Sequence, residues 1–135
     1  MSGHFDNLET RSVDERAAAV GRALPALMTL AMDRAPGMAA HLAGVDAAAV
    51  KDPTALAALP VLRKSALGAA QAADRPLGGF AVRPASGFAH VFQSPGPIYE
   101  PGSRARDWWR LGRFAHACGI GPGDIVPTTR TRPPD

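Results

Sequence analysis

Alanine fills 27 of the 135 positions and isoleucine only three. Alanine is the best helix former, yet it removes little apolar area from water when it is buried. A chain so composed makes helices readily and a dense core with difficulty. Glycine contributes 14 residues and proline 13, and these punctuate a fold more than they fill it. The length suits one ordinary domain. The composition nevertheless raises the question of whether these residues form a complete folding unit.

Several function classes are set aside by composition. The apolar share is 46%, but no apolar run approaches the roughly 20 residues that cross a bilayer. The opening Met1-Ser2-Gly3-His4-Phe5-Asp6 lacks a basic stretch followed by an apolar core, so no secretory signal is expected. Cys118 is alone and cannot form an internal disulfide. These features lead to the expectation of a cytoplasmic protein with no membrane partner. The net charge is +3, and arginine outnumbers lysine 13 to 2. Those arginines do not form a continuous basic face. Arg11, Arg16, Arg22 and Arg34 alternate with Asp6, Glu9, Asp14, Glu15 and Asp33, and the cluster Arg104, Arg106, Arg110 and Arg113 is broken by Asp107. A nucleic-acid partner is not expected. No histidine stands three or four residues from another, so no metal site is expected either.

Local signals place helices through the first half. Ser12-Val13-Asp14-Glu15 is a capping box, and it opens a helix expected over 12–34. Val20, Leu24, Leu27 and Ala31 form its apolar stripe, widened by Met28 and Met32. Pro25 removes one backbone donor, so a kink or two helices meeting near Arg22 are expected. Pro36-Gly37 ends this element. A short helix follows over 38–42 and stops at Gly44. Asp52 caps a further helix with Pro53 at its first position, and Pro60 terminates it. Ser65 is expected to cap a helix reaching about Ala73, and 74–87 reads as a long connection.

The character changes at Phe88. Phe88-Ala89-His90-Val91-Phe92-Gln93 reads as a strand, 94–102 as a proline/glycine loop, and 103–118 as a helix with Ser103 as cap. Trp108, Leu111, Ala115 and Cys118 would face inward, with Gly119 as the C-terminal cap. Asp124-Ile125-Val126 would start a second strand. Strand, loop, helix and strand make a βαβ unit, ordinarily part of a parallel sheet. The expected fold class is therefore α/β and incomplete, with a helical segment over 1–87 and a first βαβ unit over 88–126. Residues 127–135 read as a polar, proline-rich, disordered tail. Loops between a strand and a helix often hold phosphate. Ser94 and Gly96 suit that role, whereas Pro95, Pro97 and Pro101 lack donors and Glu100 is repulsive. On residue chemistry alone the loop reads as a structural turn.

The order of these segments resembles a known family. Leu59-Pro60-Val61-Leu62-Arg63-Lys64-Ser65-Ala66-Leu67 is similar to the LP-x-x-x-K-x-x-L region of phenylacetate-CoA ligases, members of the AMP-forming acyl-adenylating superfamily. That family continues with a strand, a loop SSGTTGKP, a helix carrying tryptophan, and G-x-x-PGD-x-V. The corresponding residues here are 90–101, Trp108-Trp109, and Gly119-Ile120-Gly121-Pro122-Gly123-Asp124-Ile125-Val126. Phe5 to Arg11 is also similar to the family's opening.

The resemblance implies a larger adenylating-enzyme N-terminal domain and a two-step reaction. A small carboxylic (aryl) acid and ATP give an acyl-adenylate and pyrophosphate, with Mg²⁺, and coenzyme A then displaces AMP. Ser94, Gly96 and Pro101 match the family's phosphate-binding loop and are the cofactor-binding residues it implies. Pro97 and Ile98 stand in place of two threonines, Tyr99 in place of the second glycine, and Glu100 in place of the lysine. No catalytic residue is assigned, because the family's acid pocket, adenine site and late lysine lie beyond the matched stretch. The chain alone is accordingly expected to be inactive, to bind none of these cofactors, and to end in a frameshifted tail after Val126. The alternative is a non-enzymatic helical interaction module that uses Trp109 and the Met28/Met32 face.

Overall fold

The computed structural model describes residues 3–94, 96 and 98–126. The expected tail over 127–135 lies outside them. The architecture is mixed α and β, with helices and one two-stranded antiparallel sheet. The chain divides into two compact units, Arg11–Arg106 and Met1–Thr10 with Asp107–Asp135.

In the first unit, α1 (Val13–Arg34) opens on the capping box. Ser12 Oγ accepts from the Glu15 amide at 3.2 Å, and the Ser12 amide donates to Glu15 Oε2 at 2.7 Å. Despite Pro25, α1 is one continuous helix and not two. Of the expected stripe, Leu24, Met28, Ala31 and Met32 turn inward, whereas Val20 and Leu27 do not. Leu27 is 59% exposed, and Met28 is buried with Leu42 and Val50 in the unit's small core. From Gly21 onward the less exposed positions are Gly21, Leu24, Pro25, Met28, Ala31, Met32 and Ala35, at helical spacing. Gly21 is part of this side because a Cβ there would meet the Lys51 carbonyl at 3.2 Å. Met28 and Met32 are therefore packing residues and not the contact face expected for an interaction module.

The following turns obey their local signals. Helix α2 (Pro36–His41) starts with proline at its first position. Helix α3 (Pro53–Ala57) is capped by Asp52 Oδ1, which accepts from the Ala55 amide at 2.9 Å. Helix α4 (Lys64–Ala73) ends where expected but begins earlier, with Arg63 and not Ser65 as its first flanking residue. The connection 74–80 then folds tightly against the helices. The Gly37 amide donates to the Gly79 carbonyl at 2.8 Å, and a Cβ on Gly78 would meet the Gln71 amide nitrogen at 2.9 Å. Gly78 also has φ +62°, a conformation that side chains disfavour.

Residues 88–102 depart most from expectation. Strands β1 (His90–Ser94) and β2 (Ile98–Gly102) pair antiparallel, with Ser94 opposite Ile98 and His90 opposite Gly102. Half of the expected loop is thus a strand, and no βαβ unit forms among the described residues. Pro101 fits a strand because β2 is an edge. The Tyr99 amide and carbonyl both bond to Gln71, away from β1. Backbone alternation turns the Pro101 nitrogen to the same free side, so proline forfeits no ladder bond.

In the second unit, α5 covers only Gly112–Ala117. The expected helix over 103–118 fails in its first half because local polar bonds compete with it. Ser103 Oγ accepts from the Ala105 amide and closes a turn. Asp107 and Arg110 have φ of 51° and 57°, outside the helical region, and Asp107 Oδ1 accepts from the Gly112 amide at 2.8 Å. Trp108 is 37% exposed, Leu111 60%, and Cys118 is exposed, so they form no inward face. The C-terminal cap is as expected. Gly119 has φ +78°, its amide donates to His116 O, and the Ile120 amide donates to Ala115 O, which is a Schellman motif. Asp124–Val126 carries no strand. Asp124 instead closes a turn by accepting from the Gly121 amide at 2.7 Å, and Ile125 is 96% exposed.

Candidate functional site

The three residues expected to meet phosphate are distributed along the hairpin. Ser94 ends β1, Gly96 lies in the connection with φ +98°, and Pro101 lies in β2 opposite Val91. Ser94 and Gly96 are adjacent in space. Pro101 is three residue pairs further down the ladder, about 10 Å away at the usual strand rise. The Ser94 hydroxyl donates to the Ile98 carbonyl at 3.3 Å and so closes the hairpin end. A Cβ built on Gly96 would meet nothing within 4 Å, so positive φ, and not crowding, calls for glycine there.

What the sequence did not reveal is the surface on which the hairpin rests. Helix α4 presents Gly68 to β2, where a Cβ would meet Ile98 Cδ1 at 3.0 Å. One turn along, Gln71 is only 4% exposed. Its Nε2 donates to the Tyr99 carbonyl and its Oε1 accepts from the Tyr99 amide, both at 2.8 Å. The side-chain amide acts as a one-residue strand partner and satisfies the edge of β2. A glutamine in an alanine-rich helix gives no sequence signal for this role.

Two openings flank the seam. Lys64, Ser65, Gly68, Ala69, Gly96 and Ile98 line a cavity of about 300 Å³. Arg63, Lys64, Leu67, Ile98 and Glu100 line a smaller one of about 190 Å³. Lys64 therefore borders both, with the hairpin turn on one side and Glu100 on the other. An ammonium and a hydroxyl beside a glycine turn can hold an anionic oxygen. Among the described residues, no three His, Cys, Asp or Glu side chains are grouped to hold a metal ion. No helix among them is long and apolar enough to cross a membrane.

No family model, curated protein or solved structure matches the chain.

Proposed function

We propose that the chain is the front portion of an AMP-forming acyl-adenylating ligase of the phenylacetate-CoA ligase kind, forming the lead-in to a larger α/β domain. One observation carries this reading. The segments that bear the resemblance, 59–67 and 90–101, belong to different parts of the chain, yet Lys64 and Ser65 of the first share a cavity with Gly96 of the second. The hairpin carries Glu100 where the family has its loop lysine, and Lys64 supplies a positive charge to the turn from α4. Phosphate oxygens of ATP fit Lys64, Ser65 and the open side of Gly96 by charge and donor chemistry. The described residues offer no cluster of ligands for Mg²⁺.

In the complete reaction a carboxylic acid, ATP and coenzyme A give acyl-CoA, AMP and pyrophosphate. On this reading residues 1–135 alone are expected to be inactive, because one phosphate loop does not position three substrates, and a cytoplasmic location goes with it. The test is the coding DNA beyond codon 126, read in all three frames. A ligase-like continuation in any frame supports the reading, and its absence from all three overturns it. ATP- and CoA-dependent thioester formation by purified 1–135 would overturn the assignment of inactivity.

A second reading, a helical interaction module, draws on the outward side of α1, where Val20, Leu27 and Leu30 are exposed at helical spacing. Trp109 is also exposed. A cooperatively melting chain with no ligase-like sequence downstream favours it.

A further inference from the structure

The connection between α4 and the hairpin is more than a linker. With the end of α1 it borders an open concavity of about 440 Å³, a volume within the usual range for small-molecule sites, about 300–1,000 Å³. Three arginines border it: Arg34 at the end of α1, Arg75 just after α4, and Arg83. Asp74 is the one acidic residue of its lining, so three guanidiniums against one carboxylate leave two positive charges. Among the described residues, none of the three arginines is within ion-pair distance of a carboxylate. The three arginines are exposed around one concavity, and their net positive field draws an anion to it.

The site is also built to hold its shape. Its wall is pinned by the Gly37–Gly79 backbone bond and by the Gly78 amide, which donates to the Asp74 carbonyl at 2.7 Å. Arg83 is held from two sides. Its guanidinium lies 4.9 Å from the centre of the Phe88 ring, and its stem covers Gly87, where a Cβ would meet Arg83 Cδ at 2.9 Å. An arginine stacked on an aromatic ring keeps its planar donor edge oriented. Between the charged groups the lining is apolar, with Pro36, Pro76, Leu77 and Val82.

We propose that this cavity binds a small organic phosphate monoester, with its dianionic phosphate among the three arginines and its organic part on the proline and leucine wall. The charge decides the class: two residual positive charges match a phosphate, which carries nearly two negative charges at neutral pH, better than a single carboxylate. This assignment does not depend on the ligase reading, because Lys64 and Gly96 take no part in it.

Calorimetric titration with phenyl phosphate, inorganic phosphate and benzoate tests it. Phenyl phosphate is expected to bind more tightly than either of the others, and to weaken between 20 and 200 mM salt. Arg75→Ala and Arg83→Ala are each expected to reduce affinity about tenfold, Asp74→Asn to increase it, and Arg22→Ala on the α1 surface to leave it unchanged. Circular dichroism of each variant shows whether the fold is retained. Failure of the wild-type chain to bind phenyl phosphate at 10 mM overturns the proposal. So does equal binding by a folded Arg34→Ala/Arg75→Ala/Arg83→Ala variant. Equal affinity for inorganic phosphate and phenyl phosphate overturns the role given to the apolar wall.

Discussion

The Arg11–Arg106 unit is held together in two unlike ways. Around Met28, Leu42 and Val50 the helices meet through apolar contact between segments close in sequence. At the hairpin, strand β2 is fastened to α4 through the side-chain amide of Gln71, from 28 residues away. Apolar contact is tolerant of small shifts, whereas a two-point hydrogen bond specifies one register and fails as a unit. A chain rich in alanine has few large side chains to spend, and a polar clamp fixes a strand with a single one.

The contrast can be broken most forcefully from the apolar side. Met28→Ala or Leu42→Ala should cost about 2–5 kcal/mol in urea unfolding, a large part of the total for a small domain. The polar side should yield next. Gln71→Ala leaves the half-buried amide and carbonyl of Tyr99 without this partner and should cost about 1–3 kcal/mol. It should also speed amide exchange in the hairpin more than around Met28. Gln71→Glu sharpens the point. An ionised carboxylate cannot donate to the Tyr99 carbonyl, so the variant should be weakest at neutral pH and recover on acidification, as protonation restores a donor. The smallest structural change is at the entry to α1, where Ser12→Ala should cost about 1 kcal/mol by loss of the cap.

Acid should act on both units through two exposed carboxyls. The amide of Ser12 holds Glu15 below the ordinary carboxylate range, helped by its hydroxyl. Desolvation is the largest single influence on the Asp6 carboxyl and raises it, but the hydrogen bonds from Arg113 and the Leu8 amide and the Arg113 charge together outweigh it and the group sits lower than usual. Both pKa values are depressed on folding. Their contribution is therefore present above about pH 4 and lost as the pH falls through the folded values. Arg113→Ala, followed by acid titration, should move the Asp6 carboxyl back up while leaving Glu15 unchanged.

What could be read from sequence was whatever rests on near neighbours. The Ser12–Glu15 box, the Asp52 cap and the Gly119 turn all depend on residues within five positions. The hairpin was hidden because three prolines and two glycines in 94–102 carry loop signals. Pro101 is acceptable because its nitrogen faces the side of β2 away from β1. In the long helix expected from 103, Asp107 suited the first turn by its charge, but its carboxylate accepts from the Gly112 amide and breaks the helix there. In the candidate site, Ser94 and Gly96 were visible, but Lys64, Ser65 and Gln71 became part of it only through folding. The expected stripe of α1 was right at Leu24, Met28, Ala31 and Met32 and wrong at Val20 and Leu27, because packing against Leu42 and Val50 centres the inward side on Met28.

The second unit joins distant stretches of chain. Arg113 Nη2 donates to both carboxylate oxygens of Asp6 at 3.0 Å, and His116 Nε2 pairs with the Gly3 carbonyl at 2.9 Å, across more than 100 residues. On the ribosome, Phe5 and Asp6 emerge before α5 and must wait for it, while all of Arg11–Arg106 is made in between. Domains fold as units as they are synthesised. The helical unit with its hairpin can therefore be complete before the opening residues find their partners, and loop closure makes that last joining the slow one.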